Sequence, residues 1–125
     1  MAKRILSIAY DVSLLLTRKY LLEQAGFEVV SAEGFVEAME ACDARDRQFD
    51  LIIIGHTIPR KDKEKIIAHI RQQCSAPILA LLKSYEGSVN GADRSVEASN
   101  PNILIATVRG MLEASTQTGS LEEAS

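Results

Sequence analysis

The chain is short of the features that mark whole classes of protein. Of its 125 residues only two are cysteines, Cys42 and Cys74, far apart and in no CxxC arrangement. That excludes a disulfide-stapled scaffold and offers no Cys-based metal site, so both are read as plain buried or half-buried thiols. Basic residues are not in excess: 14 Lys and Arg against 17 Asp and Glu give a net charge of −3 and a pI of about 5.4. Nucleic-acid binders normally carry a basic patch or surplus, so that class is disfavoured. No apolar run approaches the roughly 20 residues of a membrane span. The opening Met-Ala-Lys-Arg-Ile-Leu-Ser enters a strand-like run with no apolar leader, so no secretion signal is expected. These absences predict a cytoplasmic protein that engages neither membrane nor nucleic acid. The remaining composition, 46% hydrophobic and 25% charged, is ordinary for a globular domain. A chain of this length fits one domain, able to bury roughly two-thirds of the surface its unfolded form exposes.

A second kind of absence is local. Leu51 to Ile54 is an unbroken apolar run bounded by Asp50 and by Gly55 to Pro59. Such a run reads as a strand buried on both faces of a parallel sheet. In open α/β sheets the chemistry sits just past the carboxyl end of such strands, and here that place falls on Gly55, which has no side chain.

The rest of the chain alternates in the same style. Arg4 to Ile8 reads as a first strand, followed by a helix capped by Asp11 or Ser13 and carrying Leu14, Leu15, Leu21, Leu22 and Ala25, with Arg18, Lys19 and Glu23 between them. Gly26 is placed to end that helix. A second strand follows over 27–31, and 35–42 reads as a short second helix. A third helix is expected over Asp62 to Gln73, with Ile66, Ile67, Ile70 and Cys74 inward and Lys63, Glu64, Lys65 and Arg71 facing water. Pro77 to Leu82 reads as a buried fourth strand, 84–91 as a loop with room for one helical turn and 95–98 as a weak fifth strand. Asn100-Pro101 opens a last helix with Leu104, Val108, Met111 and Leu112 on its inner stripe. The polar stretch 114–125 reads as a frayed tail behind a domain over 1–113. Alternating strands and helices call for a parallel sheet covered on both faces.

Arg4 to Ile8, then Leu21-Leu-Glu-Gln-Ala-Gly-Phe-Glu-Val-Val-Ser-Ala32 and Glu37-Ala-Met39, resemble the first half of a response-regulator receiver domain of the CheY type. Phe49 to Pro59 is similar to its third strand and following loop, and Pro77 to Leu82 with Gly91-Ala-Asp93 continue the likeness. The resemblance covers roughly residues 3 to 113 and rests on the order and spacing of these segments. It implies a flavodoxin-like, doubly wound, three-layer α/β fold with five parallel strands, here with a shortened or missing fourth helix. It also implies phosphorylation on an aspartate, assisted by Mg²⁺ on further carboxylates and by a hydroxyl and a lysine. A phosphoryl group arriving on a carboxylate needs cations and donors around it.

Carried onto this sequence, those positions lack the chemistry. The acidic pair falls on Ala9 and Tyr10, the phosphoacceptor on Gly55, the hydroxyl on Leu82, and the lysine on Ala98 or, counted back from Pro101, on Asn100. No lysine follows Lys83, and no carboxylate lies from Leu51 through Lys61. The resemblance therefore implies a degenerate pseudo-receiver, not an enzyme, with no catalytic residue, metal or cofactor. Such a domain serves as a protein-interaction module in two-component-type signalling. Its implied partners are a histidine kinase or other signalling protein, or a second copy of itself. Tyr10 and Leu82 are expected to fill the emptied site, and Asp11 to cap its helix. With the fourth helix reduced, the face carrying Tyr85, Val96, Asn102, Ile105 and Arg109 is the expected interaction surface.

Two other readings stand beside this one. A small-ligand sensor would use the cleft at the strand ends, where the converging polar groups are Asp11, His56 and Thr57. A phosphorelay would run through an unorthodox residue such as Asp11 or Asp62. His56 has no Cys, His or Asp nearby in sequence to make it a ligand, and His69 reads as solvated. Lys61, Lys63 and Lys65 alternate with Asp62 and Glu64 and read as a solvated face. Gly87 and Gly91 match neither GxGxxG nor GxxxxGK[ST].

Overall fold

A computed structural model describes residues 2–43, 48–97 and 100–124, with side chains described through 113. Strands β1 (Arg4–Ala9), β2 (Glu28–Glu33), β3 (Leu51–Ile54), β4 (Ile78–Leu82) and β5 (Arg94–Glu97) form one parallel sheet in the order β2-β1-β3-β4-β5. Helices α1 (Val12–Gln24), α2 (Gly34–Asp43), α3 (Arg60–Gln73) and α4 (Pro101–Ala124) complete the described elements. The charged stretch 44–48 reads from sequence as a surface connection, and of it 44–47 lie outside the described residues.

Alternation along the strands divides the core in two. Leu6, Ile8, Ile52, Ile54, Ile78 and Ala80 face α2 and α3, where they meet Ala38, Ile66 and Ile70. Ile5, Leu51, Ile53, Leu79 and Leu81 face the other way, onto Leu22 of α1 and Leu104, Val108 and Leu112 of α4. The central strand β3 is buried along its whole length, as its unbroken apolar run predicts.

The ends of α1 follow from local chemistry. Asp11 has extended backbone and its Oδ1 accepts from the Ser13 N–H at 2.8 Å, the N-cap arrangement. Gly26 (φ +99°) lets the chain reverse: its N–H reaches Glu23 O and that of Phe27 reaches Leu22 O. These two bonds close a Schellman motif, satisfying carbonyls the helix end would otherwise leave unpaired.

Between β4 and β5 the chain makes no helix, and α3 holds the connecting loop instead. Arg60 donates to the carbonyls of Gly87 and Ser88, and Arg71 to the carbonyl of Gly91 and the carboxylate of Asp93. Val89 is buried in the α2–α3 core. Gly91 (φ +88°) packs so closely that a β-carbon there would stand 2.8 Å from Ile67 Cγ2. Arg60, Lys63, Ile67 and Arg71 lie three or four residues apart, hence on one stripe of the helix.

Lys63 corrects the sequence reading. It was expected in water, but it is fully buried, and its Nζ donates to Leu81 O at 2.9 Å and to both carboxylate oxygens of Glu86 at 2.7 and 2.9 Å. Because no helix lies over this edge of α3, the loop folds down there and brings Glu86 to the amine. The aliphatic stem of lysine suits the apolar surroundings. Helix α4 runs from Pro101 to Ala124.

Candidate functional site

The carboxyl ends of β1 and β3 lie side by side, and the Gly55 N–H donates to Ile8 O at 2.8 Å. Ala9 and Gly55 are both buried there. Arg18 of α1 enters this place. It is 5% exposed, although the helical pattern set it among the polar positions. A β-carbon on residue 55 would stand 2.8 Å from Arg18 Nη1, 3.1 Å from Ile8 O and 3.2 Å from Ala9 Cβ. Gly55 has no positive φ, so its lack of a side chain provides room and not backbone freedom.

Arg18 Nη2 donates to His56 Nδ1 at 2.7 Å. An imidazole accepting at Nδ1 carries its proton on Nε2 and is neutral. Burial, and then the positive charges of Arg18, Lys63 and Lys83, hold the His56 pKa below its ordinary value, against a smaller opposing effect of Glu86. Burial also lowers the Arg18 pKa. Arg18 Nη1 and Ser7 Oγ are buried and have no hydrogen-bond partner among the described residues. The pattern of a helix surface gives no sign that one of its arginines is drawn inward; a glycine opposite it in the fold is the missing cue.

The other expected positions are distributed around this pair. Tyr10 does not fill the site: it is 38% exposed and its hydroxyl donates to Asp62 Oδ2 at 2.9 Å. That arrangement, with burial as the first cause and Asp62 as the second, pushes the phenol up to about 12. The guanidinium of Arg18 has taken the space instead. Leu82 is buried on the opposite face of the sheet, in the α2–α3 core. Asn100 is a cap, its Oδ1 accepting from the Asn102 N–H at 2.8 Å, and Ala98 lies outside the described residues.

Asp11, His56 and Thr57 are not gathered into one pocket. Asp11 is taken up as the N-cap and Thr57 is exposed. The cleft that His56 does line lies between α1 and the start of α4. The residues of the expected interaction face divide as well. Tyr85 is fully exposed with φ +68°, whereas Val96 and Ile105 pack against the α1–α4 core. Asn102 is exposed, and Arg109 donates to Ala25 O at the end of α1, at 3.3 Å. Among the described residues no group of three or more His, Cys, Asp or Glu side chains is arranged to hold a metal, and no helix is long and apolar enough to cross a membrane.

No family model matches the sequence, and no curated protein matches it. Solved structures do. A CheY-like response regulator receiver domain from Methanospirillum hungatei JF-1 superposes with a TM-score of 0.78 at 20% identity, covering 94% of this chain and 99% of that one. A two-component response regulator from Clostridium difficile gives 0.75 at 23% identity, covering 89% and 96%. The chemotaxis protein CheY4 of Vibrio cholerae gives 0.73 at 25% identity, covering 89% and 99%. The chain therefore has the flavodoxin-like fold of CheY-type receiver domains.

Proposed function

We propose that the chain is an atypical receiver module of two-component-type signalling that acts by binding protein and not by accepting a phosphoryl group. The observation that carries this reading is the Arg18–His56 pair, which occupies the place where a receiver would present its aspartate. A phosphoryl acceptor there needs a carboxylate with room to react and oxygen ligands for Mg²⁺. Gly55 supplies no carboxylate, Ala9 and Tyr10 supply no ligand pair, and a guanidinium fills the space. The unorthodox acids are engaged elsewhere, Asp11 as a helix cap and Asp62 with Tyr10. On this reading the domain is not an enzyme, and its partner is a histidine kinase, another signalling protein or a second copy.

Tyr85 supports a binding role. A non-glycine residue at positive φ costs free energy, about 1–2 kcal/mol, and a fully exposed ring recovers none of it by packing. An aromatic held out on a tethered loop is a suitable anchor for a partner.

The test is titration with Mg²⁺ and beryllofluoride, a phosphoryl mimic, followed by amide chemical shifts. Unchanged resonances around Gly55 are expected. Saturable shifts centred on Gly55, Ala9 and Leu82 would overturn the reading.

A further inference from the structure

Two cysteines far apart in sequence come together at one end of the α2–α3 layer. Both helices connect parallel strands and lie on the same face of the sheet, so they run in the same direction. Their register is set near the start of α2. The Phe35 ring packs edge-on against His69 with centroids 5.0 Å apart, and Lys65 Nζ stands 4.8 Å from the ring centre. Phe35 is therefore level with the turn from Lys65 to His69, whose middle residue is Ile67. Seven residues further along each helix, about 10 Å at the helical rise, stand Cys42 and Cys74. Cys42 is in the last turn of α2, and Cys74 is the C-cap of α3.

The two side chains meet there. The Cys42 thiol is hydrogen-bonded to Cys74, and burial first, then that neighbour, pushes it up to about 12. Both residues pack at the margin of the α2–α3 core, each is partly exposed, and neither is in a disulfide. Partial exposure admits a small oxidant, and the apolar margin holds the sulfurs side by side. The thiolate, not the thiol, is the nucleophile. Cys42 keeps its proton, which leaves Cys74 as the attacking sulfur.

We propose that Cys42 and Cys74 are a reversible dithiol–disulfide pair, oxidised by a peroxide through Cys74. Cys74 attacks one oxygen of hydrogen peroxide; the O–O bond breaks, the leaving hydroxide takes up a proton as water, and Cys74 becomes a sulfenic acid. The Cys42 sulfur then attacks Cys74 Sγ. The S–S bond forms, the S–O bond breaks, and the Cys42 proton leaves with the oxygen as a second water. The two thiols give up two electrons, and the peroxide takes them. The sulfurs must close to about 2 Å, which rotation about χ1 at two helix ends supplies. The bond ties α2 to the end of α3, three residues beyond Arg71, which holds the loop between β4 and β5. The inference does not depend on the binding role proposed above.

The experiment is treatment of the folded full chain with hydrogen peroxide, then alkylation, intact mass and a tryptic map. Loss of both alkylatable thiols and of two hydrogens is expected, with one fragment joining Cys42 to Cys74 and full reversal by a thiol reductant. With dimedone, which traps sulfenic acid, Cys42→Ser is expected to be labelled at Cys74 at least tenfold faster than Cys74→Ser at Cys42. The map of the parent chain decides alone if either variant does not fold. The proposal is overturned by two thiols that remain alkylatable while a free cysteine in the same tube is oxidised. It is equally overturned by a disulfide joining two chains, by sulfinic acid on separate cysteines without a crosslink, or by equal labelling of the two variants.

Discussion

Arg18 Nη1 lies 2.8 Å from the point where a β-carbon on residue 55 would stand, and residue 55 is glycine. The arginine and the glycine are therefore one arrangement, and each should be tolerated only with the other. Gly55→Ala is expected to cost about 1–2 kcal/mol, the range for overfilling a packed site. In an Arg18→Ala background that cost should largely disappear. A double-mutant cycle by urea unfolding measures the coupling, expected near 1 kcal/mol. Additive effects would mean that Ile8 O and Ala9 Cβ, not the guanidinium, set the limit.

Lys63 and Glu86 predict an asymmetry. Lys63 is wholly buried, whereas the Glu86 side chain keeps 14% of its surface in contact with solvent. Removing Glu86 strands a buried ammonium, which costs about 3 kcal/mol or more. Lys63→Met keeps the packed stem and leaves Glu86 with Arg60 and the Lys83 N–H, so about 1–2 kcal/mol is expected. Denaturant unfolding of Glu86→Ala and Lys63→Met decides the order; equal losses would mean that the amine finds another partner.

Acid should release the loop between β4 and β5 before it unfolds the sheet. For Glu86 and Asp93, burial alone would raise the pKa, but Lys63, Lys83 N–H and Arg60 in one case, and Arg71 and Ile78 N–H in the other, hold it below the ordinary value. A depressed carboxylate stabilises the fold fully above its unfolded pKa, and that contribution is lost as pH falls through the folded one. The loss belongs below about pH 4. His56 acts in a higher window. Its folded pKa is depressed, so the unfolded chain binds the proton more readily and stability declines as pH drops below about 6.5. Hydrogen exchange across 83–93 as a function of pH should show the lower step, and Glu86→Gln should flatten it. A His56→Phe variant should lose the upper step in a pH series of melting temperatures.

Tyr85 offers the opposite kind of test, since its side chain is fully exposed. Tyr85→Gly should be neutral or stabilising by up to about 1 kcal/mol, because glycine adopts positive φ without the steric cost. A clear loss of stability by thermal melting would show that the ring packs in solution.

Much of the architecture was legible in the residues. Leu51 to Ile54 reads as a strand covered on both faces, Asp11 or Ser13 and Gly26 bracket α1, and Asn100-Pro101 marks the start of α4. The loop in place of a fourth helix was legible too, since 84–91 lacks an apolar stripe. The site was legible only in what it lacks. Gly55 marks a strand end that carries no side chain, but nothing near it in sequence tells that Arg18 stands beside it. Arg18 and Lys63 sit at polar positions of amphipathic patterns, and such positions read as solvated because most are. What buries them lies far along the chain: Gly55 makes room for one, and the folded-down loop with Glu86 for the other. Tyr10 stays outside for the same reason: the space beside Gly55 is taken from α1 by Arg18.

The proposed function has Arg18 and Gly55 standing in place of a phosphorylation switch. It is tested most directly by incubating the full chain with acetyl phosphate and Mg²⁺ and measuring its intact mass. An unchanged mass is expected for the parent chain and equally for Gly55→Asp, whose carboxylate would meet Arg18 and have no acidic pair beside it. A stoichiometric gain of one phosphoryl group on the parent chain would contradict it.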